Sequence, residues 1–94
     1  MEVEVTILNR LGLHARPAAL VAKAAAKFAS DIKISPANGT EADAKSILSL
    51  LMLGAPCGTV LKLSAVGADE KDAVQEIAGL FAAGFDEDCA SEKA

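Results

Sequence analysis

Residues 2–18 read Glu-Val-Glu-Val-Thr-Ile-Leu-Asn-Arg-Leu-Gly-Leu-His-Ala-Arg-Pro-Ala, and two periodicities meet within them. Val3, Val5 and Ile7 alternate with Glu2, Glu4 and Thr6, the period of a strand with one buried and one wet face. From Pro17 to Phe28 the apolar spacing changes to three and four residues, through Ala18, Val21, Ala22, Ala25 and Phe28. That spacing predicts an amphipathic helix, with Lys23 and Lys27 four apart on its other face. Proline is tolerated in a first helical turn, where the amide would have no intrahelical partner, so Pro17 sets the helix start within a residue or two of His14.

The pattern continues outward from this junction. Ile32 and Ile34 alternate with Asp31 and Lys33 before a Pro36–Gly39 turn, and a short third strand near Thr40–Ala42 completes a hairpin. Ser46 stands as a helix N-cap before Ile47, Leu48, Leu50, Leu51, Met52 and Leu53, with Gly54 as the stop. Val60–Val66 reads as a fourth strand, with Leu61, Leu63 and Ala65 on one face. Asp69, Glu70 and Asp72 load the first turn of a last helix, whose buried stripe is Val74, Ile77, Leu80 and Phe81. The order βαββαβα predicts an α+β fold of two layers, a four-stranded antiparallel sheet with three helices on one face, because helices with one apolar stripe must bury it against the sheet. The charged alternates of the first and fourth strands would face water on the other side.

Composition narrows the function. Ninety-four residues make one ordinary domain, here 1–88, followed by an acidic tail at 89–94 expected to be flexible. A net charge of −4 disfavours nucleic acid as a partner, and the absence of Trp and Tyr removes the platforms on which bases stack. The longest apolar run, Ile47–Ala55, is interrupted by Ser49 and Gly54 and falls short of the roughly 20 residues of a membrane span. The acidic, alternating start lacks the basic and apolar regions of an export signal, so a cytoplasmic location is expected. Cys57 and Cys89 form no C-x-x-C pair and are expected to remain thiols in a reducing compartment.

The single histidine, His14, overhangs the predicted start of the first helix. The N–H groups at about Ala15, Arg16 and Ala18 would point out of the helix end and, with the helix dipole, form an anion cradle. A neutral imidazole keeps a lone pair able to attack phosphorus, and the phosphoryl oxygens so gained need donors and positive charge. Arg16 supplies a guanidinium fork suited to them. A lone histidine near a helix start is otherwise a cap or surface residue, and Arg16 alone a solvated charge. No metal is expected, since one histidine without clustered cysteines makes no structural zinc site, and the absence of a G-x-S-x-G elbow disfavours a serine hydrolase.

Gly12-Leu13-His14-Ala15-Arg16-Pro17-Ala18, followed by Ala44-Lys45-Ser46-Ile47-Leu48, resembles the HPr family of histidine-containing phosphocarriers of the phosphoenolpyruvate-dependent phosphotransferase system, over roughly Val3–Phe85. The element order is similar to that family's open-faced β-sandwich. Ser49–Leu53 and Gly84–Asp88 further resemble its nitrogen-type branch, whose role is regulatory rather than sugar uptake. The resemblance implies that His14 is phosphorylated on Nδ1 by phosphorylated Enzyme I and passes the group to a IIA-type protein, with Arg16 stabilising it. It implies no cofactor, phosphoenolpyruvate acting only through Enzyme I, and it makes Ser46 a candidate for an HPr kinase/phosphorylase where a host has one. It also places Ile47, Leu48 and Leu51 outward beside His14, as a docking face.

Independently, a short helix apolar on every side cannot bury all of its side chains, so some must face outward. Arg16, Lys23, Lys27 and Lys45 would ring that patch with positive charge suited to an acidic partner. A monomer that exchanges phosphoryl groups through brief encounters is the leading expectation. The alternatives are a regulatory binding protein that uses the same face without turnover, and a small stand-alone enzyme.

Overall fold

The computed structural model describes residues 1–9, 12–37 and 39–86, with only the backbone at Asp86. Four strands and three helices alternate as β1 (Glu2–Thr6), α1 (Ala15–Ala25), β2 (Asp31–Pro36), β3 (Ala42–Asp43), α2 (Ile47–Leu51), β4 (Val60–Val66) and α3 (Glu70–Ala82), closed by a 3₁₀ turn at Gly84–Asp86. The sheet is antiparallel throughout, in the order β1-β4-β2-β3. Register follows the apolar alternation: Val3 faces Leu63 and Val5 faces Leu61, while Ile34 and Ile32 face Leu63 and Ala65 from the other side. A one-residue slip would turn this whole set to water, so the pattern fixes the pairing.

Above that face lie the helices. Val21, Ala18 and Ala25 of α1 join Val74, Ile77 and Phe81 of α3 and the sheet's Val5, Ile32, Ile34, Leu61 and Leu63 in one core. Leu80 is only half-buried at the edge of the stripe expected of it. The opposite face carries Lys62 paired with Glu2 at 3.9 Å and Lys33 with Asp31 at 3.3 Å, the wet side the alternation implied. The architecture is therefore the α+β open-faced two-layer sandwich expected of βαββαβα.

Boundaries differ at the end of α1 and at β3, while the start of α1 falls where Pro17 set it. Helix α1 begins at Ala15, two residues before Pro17, because His14 adopts the extended N-cap conformation. It ends at Ala25, where Lys27 and Phe28 donate to Ala24 and Ala25 at 3.1 Å, tightening the last turn to 3₁₀ spacing and still placing half-buried Phe28 against the core. Strand β3 lies at Ala42–Asp43, shifted past the expected Thr40. Asp69 is the N-cap of α3, and its carboxylate accepts from Ser30 Oγ and from the N–H groups of Ala29 at 2.8 Å and Ser30 at 2.9 Å. This ties the start of α3 to the α1–β2 turn. The tail at 89–94 lies outside the described residues.

Candidate functional site

The strand-to-helix junction is held on one side by the chain between α2 and β4. Beyond β1, Ile7 donates to Thr59 at 2.9 Å and accepts from Gly58 at 2.7 Å. Leu13, buried, donates to the Ala55 carbonyl at 2.9 Å. Gly12 sits between them at φ +73, where a Cβ would press on the Ala55 carbonyl and lie 2.9 Å from Pro56 Cα. Glycine is required there both by its backbone region and by the close approach.

His14 emerges from this clamp at φ −96, ψ −166 as the N-cap of α1. Its side chain is partly exposed and makes no capping bond to the helix, so the imidazole is not spent on holding the helix end. Ala15 and Arg16, both exposed, fill the first two helical positions, whose N–H groups aim out of the helix end. Pro17 follows with no N–H to give. Ala18, counted into the cradle from the sequence, lies outside it: its N–H closes the first turn on the His14 carbonyl at 3.0 Å. Of the amides counted into the cradle from the sequence, Ala15 and Arg16 remain the candidates.

Helix α1 packs beside α2 on one flank and α3 on the other. Of α2 only Leu50 is buried, whereas Ile47, Leu48 and Leu51 are exposed, Leu48 to 69 %. Met52, just past the helix and 78 % exposed, extends this face. Its place in the same apolar run was the available signal, but the run alone does not say which members the core takes. The Ala55 carbonyl, four residues beyond Leu51, connects this patch to the His14 loop.

The basic residues disperse more than the sequence suggested. Lys23 is exposed near the end of α1. Lys45 lies just before α2, its Nζ donating to the Phe28 carbonyl at 2.8 Å. Lys27 turns the other way and pairs with Glu76 of α3, so the α2 ring expected to include it is narrower. Ser46 is the N-cap of α2, its Oγ accepting from the Ser49 N–H at 3.2 Å. Cys57 is disulfide-bonded, contrary to the thiol expected, and Cys89 lies outside the described residues.

No helix among the described residues is long and apolar enough to cross a membrane. A family model described as the PTS HPr component phosphorylation site matches residues 1–83. The phosphocarrier protein NPr of Proteus mirabilis is 43% identical over 84 residues, which cover 89% of this chain and 93% of the relative. Phosphocarrier protein HPr of Cupriavidus necator is 40% identical over 87 residues, covering 93% and 97% of the two chains. The crystal structure of HPr-C-His from Thermoanaerobacter tengcongensis superposes with a TM-score of 0.87 at 43% identity, over 94% of this chain and 98% of that one. With sequence, relatives and fold in agreement along nearly its whole length, the chain belongs to the HPr family of phosphotransferase-system phosphocarriers.

Proposed function

We propose that His14 is the phosphoryl acceptor of this carrier. Its Nδ1 lone pair forms a bond to the phosphorus of phosphorylated Enzyme I as the bond to the Enzyme I donor breaks, and the same group then passes to a IIA-type protein. The Ala15 and Arg16 amides and the Arg16 guanidinium face the three phosphoryl oxygens, the dipole of α1 adding positive potential. The carrying observation is that His14 occupies a helix N-cap while its imidazole makes no capping bond. No cofactor is required, phosphoenolpyruvate acting only upstream.

Ile47, Leu48 and Leu51, extended by Met52, form the docking face, with Arg16, Lys23 and Lys45 at its rim. An apolar centre with a charged margin suits fast, short encounters by a monomer in the cytoplasm. Ser46, at the edge of this face, is the position where an HPr kinase/phosphorylase would act. Two added charges there would preserve the cap electrostatically and repel an acidic partner.

Incubation with Enzyme I and radiolabelled phosphoenolpyruvate tests the reading. Wild type should take up acid-labile, base-stable label, and His14→Ala none. Label that persists in the variant, or its absence from wild type beside an active Enzyme I, would move the weight to a regulatory binding protein that docks without turnover.

A further inference from the structure

Asn9 is completely buried in the bend after β1, at 0 % exposure. A buried amide side chain is costly unless hydrogen-bonded, so its partners indicate what it does there. Its Nδ2 donates to the Gly12 carbonyl, and its backbone carbonyl accepts from the Gly12 N–H at 3.0 Å. The Gly12 carbonyl also accepts from the His14 N–H at 2.9 Å, while the Leu13 N–H donates to Ala55 at 2.9 Å. The Gly12 carbonyl and the Leu13 N–H belong to one rigid peptide plane. That plane is therefore gripped at both ends, by the Asn9 side chain and by Ala55, and rotation about either flanking bond would swing His14.

We infer that Asn9 is a positioning residue for phosphoryl transfer, its side-chain amide holding the Gly12–Leu13 peptide so that His14 stands in line for attack. The inference rests on His14 being the acceptor. Asn9 is fully buried in the bend after β1 whereas the α2 face is exposed, so its loss should act on the transfer step and not on docking. Misalignment of a nucleophile by about an ångström is enough to slow a reaction on the order of 100-fold.

The test measures initial labelling rates from phosphorylated Enzyme I as the carrier concentration is varied. It compares wild type, Asn9→Leu, which fills the volume without a donor, and Ile77→Val, which loosens the core elsewhere. For Asn9→Leu the saturating rate should fall at least about 10-fold with the half-saturating concentration unchanged. Ile77→Val should match wild type in both. Should Asn9→Leu be unfolded at the assay temperature, Asn9→Ala, which removes the Nδ2 donor without adding bulk or charge, carries the same expectation. A saturating rate equal to wild type in a folded Asn9 variant, or an equal loss in Ile77→Val, overturns the inference while leaving His14 as acceptor. Wild type that takes no label overturns both.

Discussion

Gly12 shows how little of the site's geometry resides in the histidine itself. At φ +73, with the Ala55 carbonyl where a Cβ would stand, it brings the His14 loop close to the α2–β4 connection. Gly12→Ala should cost about 1–2 kcal/mol from backbone conformation alone, with the crowding at Ala55 added. Urea unfolding would show this as a lowered midpoint, and labelling by Enzyme I should slow in parallel because the displaced peptide carries His14. The placing of His14 and Arg16 at the helix start was legible in the sequence, since Pro17 anchors that start next to them. The Asn9 amide was not: a polar residue in a connecting segment gives no sequence signal that it turns inward. The loss of Ala18 from the cradle has a similar origin, because a one-residue uncertainty in the helix start decides which amide closes the first turn.

At the scale of elements, α2 is the informative case. Its five residues are too few to be stable alone and are held by the Ser46 cap, by Leu50 in the core and by packing against α1. Ser46→Ala should therefore cost about 1 kcal/mol, visible as a lowered thermal midpoint. Leu48 buries little, so Leu48→Ala should leave stability within about 0.5 kcal/mol of wild type. It should instead raise the carrier concentration needed to half-saturate Enzyme I without changing the saturating rate, the reverse of the pattern expected for Asn9. Equal half-saturation in the two proteins would remove Leu48 from the docking face. That some of this run must face outward followed from its all-round apolarity. The exposure of Met52 and the capture of Lys27 by Glu76 depend on the angles at which helices lie, which periodicity does not carry.

Across the whole molecule, the two layers and the order of elements along the chain followed from alternation and turn placement, which do not give the sheet order β1-β4-β2-β3, and the 60–66 strand was legible to the residue. The long-range ties were not. Asp69, recognised only as a helix-start carboxylate, reaches back across forty residues to Ser30 and Ala29. Its bonds from Ser30 Oγ and the Ala29 N–H hold its carboxyl below the ordinary value of 3.8, and the Gly67 N–H does the same for Glu70. Both values are depressed on folding, so the stability they contribute is fully present above the ordinary carboxylate range and is lost as pH falls through the lowered values. The urea midpoint of wild type should drop as pH falls through and below the ordinary carboxylate range, and Asp69→Asn should start lower and flatten that slope. An unchanged slope would remove Asp69 from the acid response. Phe85 closes the fold in an equally unadvertised way, with φ 53 and its ring edge-on to Phe81 at 4.9 Å. The central claim remains the carrier chemistry at His14. It is tested most directly by phosphorus and nitrogen NMR of the protein after phosphorylation by Enzyme I, before and after a IIA-type acceptor is added. One phosphoryl group is expected on Nδ1 of His14, disappearing onto the acceptor; a group on any other atom, or one that stays on the chain beside a competent acceptor, would contradict carrier chemistry at this residue.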